Sequence, residues 1–173
     1  MDPRADALLS RLRAGRFSDF PGARADITLP IADRLLNELI AAAVPPTAPV
    51  QDVELTSKDG NRIRVRFKAA AAAFLPPLNV TLLIEQQPRL PESPTLVLKL
   101  EAGGLLSMAG SALRFLDALP LGLRVVGDRI HVDLGSLLAA RGLGDLLDYA
   151  EAVEVTTIPG AVVVAVRAGV RAG

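Results

Sequence analysis

The chain holds one histidine, His131, with Asp133 two residues on and Ser136 three further. These are the residue types of an acid–base pair, or of a nucleophile with its base. His131 and Asp133 fall on the same side of an alternating strand, where His131 would face Arg124. Histidine catalysis needs partners in reach, and spacing on adjacent elements does not by itself orient a nucleophile. The expectation is a solvated histidine and a chain that is not an enzyme. The absence of cysteine excludes disulfides, thiolate metal sites and a cysteine nucleophile. Neither a phosphate-loop sequence nor a His-Glu-x-x-His motif is present, so no metal and no cofactor is expected. Gly142-Leu143-Gly144 lacks the third glycine of a dinucleotide fingerprint, because position 147 is Leu; it reads as a helix break.

Charge narrows the partners. Nineteen Lys and Arg balance nineteen Asp and Glu, and only 3% of the residues are aromatic. A nucleic-acid binder usually shows a basic excess and stacking aromatics, so no nucleic acid is expected. Arg62, Arg64, Arg66 and Lys68 make a basic ladder on one strand face, which cross-strand pairing with Asp52 and Glu54 accounts for. Around Ala5, Leu8, Leu9 and Leu12 the first sixteen residues carry scattered charges rather than an uninterrupted apolar stretch. The apolar segment from 69 to 84 is broken by Pro76, Pro77 and Asn79. A soluble, cytoplasmic protein is expected, with membrane contact at most peripheral.

The elements that must position these residues follow from periodicity. Residues 1–25 read as an amphipathic helix and loop, and 26–173 as a single α+β domain. Thr28 and Pro30 suggest a helix start, and Ile31, Leu35, Leu36, Leu39 and Ile40 recur at helical spacing up to Pro45-Pro46. Val50 to Thr56 and Arg62 to Lys68 alternate around Asp59-Gly60, predicting Val53 opposite Val65, Leu55 opposite Ile63 and Glu54 opposite Arg64. Strands are expected over Leu78–Glu85 and Thr95–Glu101, then a very apolar helix from Leu105 to Leu119. Two more hairpins close the chain. In the first, Val125 faces Ile130 and Leu123 faces Val132; in the second, Val155 faces Val164 and Val153 faces Val166. Ser136 is the expected cap of a short helix between them. Hairpins dominate, so the class is α+β: a curved, mainly antiparallel sheet wrapped around one or two apolar helices.

Half of the chain is hydrophobic, and nearly all of that is aliphatic. A curved sheet around helices of Leu, Ala, Ser and Met leaves room for an aliphatic groove suited to an acyl chain. The order of the stretch Leu29 to Ile40, the pattern Val53-Glu54-Leu55 with Asp59-Gly60-Asn61-Arg62-Ile63, and Leu123 to Leu134 before a Leu-rich helix and closing hairpin resembles the LmeA-like phospholipid-binding proteins. More broadly it resembles the tubular lipid-binding (TULIP) superfamily. That resemblance implies a curved sheet around a helix, with lipid held in the seam. The chain is short for a tube, which implies half a tube or a module that pairs with a second copy. The expected function is therefore non-enzymatic carriage of an acyl lipid or fatty acid, lined by Leu36, Leu39, Met108, Ala112, Leu113 and Leu116. The alternative is an interaction module that dimerises or docks a partner without a small ligand. A homodimer is expected in either case, because an uncovered sheet edge invites pairing.

Overall fold

The structure is a computed structural model that describes residues 21–48, 50–70, 76–101, 122–140 and 142–170. Strands predominate: β1 (Arg24–Ala32), β2 (Val50–Lys58), β3 (Arg62–Ala69), β4 (Leu78–Gln86), β5 (Thr95–Glu101), β6 (Leu123–Val126), β7 (Arg129–Asp133), β8 (Ala150–Ile158) and β9 (Ala161–Gly169). Two α-helices accompany them, α1 (Asp33–Ala43) and α2 (Leu134–Ala139), with a 3-10 turn at Gly144–Asp148. A six-stranded sheet runs β2-β3-β4-β5-β7-β6 and a three-stranded sheet runs β1-β9-β8. Every pairing is antiparallel. The expected class holds: an α+β chain whose curled antiparallel sheet forms a half-barrel. The apolar stretch Leu105 to Leu119 and the first sixteen residues lie outside the described residues.

The core lies between the two sheets. Ile63, Leu82, Ile84, Leu96, Leu98 and Leu100 bury one face of the larger sheet against Val155 and Val162 of the smaller, and Leu36 of α1 packs beside them. Strict alternation makes this possible, since each strand sends every second side chain inward. The other face of the larger sheet carries ion pairs. Arg62 holds Glu101 through two bonds of 2.8 and 3.0 Å, and Arg129 holds Glu85 through two of 2.5 and 3.1 Å.

Three expectations change in detail. Residues 24–32 form a strand, not a loop and helix start, because Ile27, Leu29 and Ile31 alternate and pair with Val166, Val164 and Val162 of β9. Pro30 is tolerated there because β1 is an edge strand. The first hairpin turns about Gly60 rather than Asp59, with left-handed backbone at Gly60 and Asn61. Leu55 therefore faces Val65 and Glu54 faces Arg66, while Val53 falls within a bulge between Gln51 and Glu54. The shift is by an even step, so the apolar and charged faces keep their sides. Glu54 and Arg66 pair at 3.4 Å, and Asp52 pairs with Lys68 at 2.7 Å. Finally, Asp133 rather than Ser136 caps α2, its carboxylate accepting from the Ser136 N–H. The two later hairpins have the expected registers.

Helix α1 closes the free edge of β2. The Asp33 carboxylate accepts from the Ser57 N–H at 2.8 Å and from the Ser57 hydroxyl at 2.5 Å. One turn later, the Asn37 amide accepts from the Leu55 N–H at 2.7 Å and donates to the Leu55 carbonyl at 2.9 Å. Ser57 is only 1% exposed, so water cannot replace its lost partner. Asp33→Ala is expected to cost about 1–3 kcal/mol in urea unfolding, the usual penalty for stranding a buried polar group. Glu54→Ala, which removes an exposed ion pair, should cost less than about 1 kcal/mol. Equal costs for the two would show that edge pairing by α1 does not stabilise the fold.

Candidate functional site

Two surfaces carry the residues of interest, one on the larger sheet and one on the smaller. The first is a groove on the outer face of the larger sheet, with a volume of about 540 Å³. The register builds it row by row. Val97 of β5 faces His131 of β7, which faces Arg124 of β6; in the next row Thr95 faces Asp133. Gln86 and Ser93 border these rows from the β4–β5 side, and Gly122 and Ser136 from the other. Val97, only 5% exposed, gives the groove an apolar floor. Gly122 adopts a left-handed backbone, and a Cβ there would lie 2.9 Å from Leu137 Cγ, so this rim position requires glycine. Its carbonyl accepts from the Asp133 N–H at 2.7 Å, tying the start of β6 to the end of β7.

The structure brings His131, Asp133 and Ser136 to one groove, a convergence that their spacing alone did not establish. Their hydrogen bonding differs from a nucleophile–base pair. The Ser136 hydroxyl donates to Asp133 Oδ2 at 2.7 Å, and the Ser136 N–H donates to Oδ1 at 3.2 Å. Ser136 therefore completes a helix cap, and the His131 side chain makes no hydrogen bond among the described residues. The Ser136 hydroxyl, then its N–H, hold the Asp133 carboxyl below the usual aspartate range, against a smaller opposing effect of burial. Among the described residues no group of His, Asp and Glu is arranged to hold a metal ion.

The second surface is the apolar face of the three-stranded sheet. Leu29, Val164 and Val155 form one row across β1, β9 and β8, and Ile27, Val166 and Val153 form the next. Val155 is 7% exposed, whereas Leu29 and Ile27 are 51% and 45% exposed. The same aliphatic face passes from closed core to open surface within three strands. On α1, Leu35 and Leu39 are also exposed. Of the predicted lining, Leu36 packs against the core and Leu39 stands in solvent. Met108, Ala112, Leu113 and Leu116 lie outside the described residues.

Ile27 and Leu29 escaped the sequence reading, although their period-two alternation was the available signal. Arg124 was placed opposite His131 correctly. The contributions of Gln86, Ser93 and Thr95 required knowing that β5 pairs with β7, a long-range pairing that no local pattern reports. The chain matches no family model, no curated protein and no solved structure at a significant level of similarity. Among the described residues no helix is long and apolar enough to cross a membrane.

A lowered carboxyl stabilises the folded state above the ordinary aspartate range, and this contribution is lost as pH falls through the lowered value. Ser136→Ala should move the Asp133 titration upward in carbon-detected NMR. The stability gap between wild type and Ser136→Ala should be full near neutral pH and should close in acid. A gap independent of pH would assign the effect of Ser136 to packing instead.

Proposed function

We propose that this protein binds an acyl lipid, fatty acid or similarly apolar molecule without transforming it, on the aliphatic face of β1, β9 and β8. The observation that carries this reading is the row from buried Val155 through Val164 to half-exposed Leu29, doubled by the row ending at Ile27. A methylene chain laid along these rows exchanges water for branched aliphatic side chains. Each buried methylene contributes about 0.8 kcal/mol before ordering costs. The half-barrel and the likeness to tubular lipid-binding proteins support the same reading. In it, the protein is cytoplasmic and touches membranes at most peripherally.

The rival reading is an interaction module, favoured by the outer edge of β1. That strand is nine residues long, pairs with β9 alone among the described residues, and only Pro30 lacks an N–H along it. A second copy adding its own β1 there would give the homodimer expected of an uncovered edge.

Solvent extraction of purified protein followed by mass spectrometry should recover a stoichiometric lipid or fatty acid, and stripped protein should bind oleate. Leu29→Lys should weaken oleate binding by at least about tenfold, equivalent to about 1.4 kcal/mol. Its melting temperature should change little, because the side chain is half exposed. Absence of both extractable lipid and oleate binding, together with a dimer in sedimentation that Leu29→Lys dissociates, would replace the carrier reading with the interaction module.

A further inference from the structure

We propose that the groove on the outer face of β5, β7 and β6 is a binding site for a small organic oxyanion, a phosphate or carboxylate on a hydroxylated skeleton, with Arg124 as its charged anchor. The inference stands apart from the lipid reading, since the groove lies on the larger sheet's outer face, away from the core, and the apolar strip lies on the smaller sheet.

The first support is the state of Arg124. On the same sheet face Arg62 is held by Glu101, Arg66 by Glu54 and Arg129 by Glu85. Arg64 and Arg124 make no ion pair among the described residues, and of the two Arg124 is the one that lines the groove. A guanidinium presents a planar fork of donors that matches a phosphate or carboxylate through two parallel bonds.

The second support is the company it keeps. Gln86, Ser93, Thr95 and His131 line the same groove, and their side chains form no hydrogen bonds among the described residues. They remain available to donate to or accept from hydroxyl groups of a ligand. Around the apolar floor of Val97, these groups converge on one space. A volume of about 540 Å³ lies within the range that small-molecule sites occupy. It is far larger than a bare anion needs, which is why the proposal includes a skeleton.

Asp133 also lines the groove and is the one carboxylate there. Its two oxygens accept from the Ser136 N–H and hydroxyl, so its charge is already engaged by donors of α2. It sits one register row from Arg124, opposite Thr95 rather than His131. The oxyanion would therefore dock on the Arg124–His131 row, with the hydroxylated part toward Thr95 and Ser93.

Titration calorimetry of the whole chain with glycerol 3-phosphate and with glycerate, against glycerol as the uncharged control, tests this. At least one charged probe should bind about tenfold or more tightly than glycerol. Arg124→Gln should abolish that difference, Arg124→Lys should retain part of it, and Arg34→Gln, an exposed charge change on α1, should leave it intact. Flotation with phosphatidylcholine vesicles, with and without phosphatidic acid, distinguishes a lipid headgroup from a free small molecule. Arg124-dependent capture by the acidic vesicles alone assigns the same oxyanion chemistry to a headgroup. Binding of neither probe nor vesicle, equal binding of glycerol, or equal losses in Arg124→Gln and Arg34→Gln would overturn the site. Arg124 is exposed, so the fold is expected to survive its replacement, and unchanged far-ultraviolet circular dichroism checks this.

Discussion

A sheet edge presents backbone N–H and C=O groups that must find partners, and at β2 the partner is a helix. Asp33 and Asn37 stand one turn apart on α1, about 6 Å along the helix axis. Leu55 and Ser57 stand two residues apart on β2, just under 7 Å along the strand. The near match of these repeats lets side chains four apart on a helix serve backbone groups two apart on a strand. The helix thus acts as a neighbouring strand without the flatness that would let the sheet continue. This also sets where α1 lies, and so which of its leucines reach the core. Leu36 packs inward, whereas Leu35 and Leu39 point to solvent.

The edge of the smaller sheet is served in the same way by the larger one. The Gln87 side chain accepts from the Val155 N–H at 2.8 Å and donates to the Val155 carbonyl at 2.7 Å. Asn61 accepts from the Thr157 N–H at 3.2 Å, and the Thr157 hydroxyl donates to the Lys58 carbonyl at 2.5 Å. The β8–β9 turn joins in, because the Gly160 carbonyl accepts from the Asp33 N–H at the start of α1. Amide side chains rather than a ladder therefore join β8 to the larger sheet. Their directionality holds Val155 and Val162 over Ile63, Leu82 and Ile84, where nondirectional burial alone would allow sliding. With β2 and β8 satisfied, β1 keeps its outer edge and its exposed aliphatic residues.

What was legible in the sequence follows from this division of labour. Hairpins with two-residue turns read correctly, since Gly127 and Pro159-Gly160 tie each register to a turn geometry. The first hairpin differs by an even step because Asp59, Gly60 and Asn61 all suit a turn, and alternation excludes only odd shifts. The strand β1 was hidden because Thr28 and Pro30 mimic a helix start, a local signal overruled by nine paired residues of β9. Asp33 and Asn37 lie off the apolar spacing of Ile31, Leu35, Leu36, Leu39 and Ile40, so nothing local marks them as more than solvated polar residues. Only the position of β2 reveals them as ligands of a backbone edge. Of the groove, the histidine row on β6 and β7 was legible, being local; its β5 half was not.

Period-two alternation also explains why one chain can offer two chemically opposite surfaces. In the larger sheet, every strand that sends Leu96, Leu98 or Val132 inward sends Thr95, Val97, His131 or Asp133 outward. An aliphatic core and a polar groove are two sides of the same backbone. Across the three strands of the smaller sheet, burial falls from β8 and β9 to the edge strand β1. Val155 and Val162 are shut in, while Ile27 and Leu29 are left over. Leaving water on two branched residues of one edge strand is a standing cost that packing elsewhere offsets. Burial of an apolar molecule on that strand would recover part of it. The polar groove carries no analogous cost, because Arg124 there is exposed and water satisfies its guanidinium.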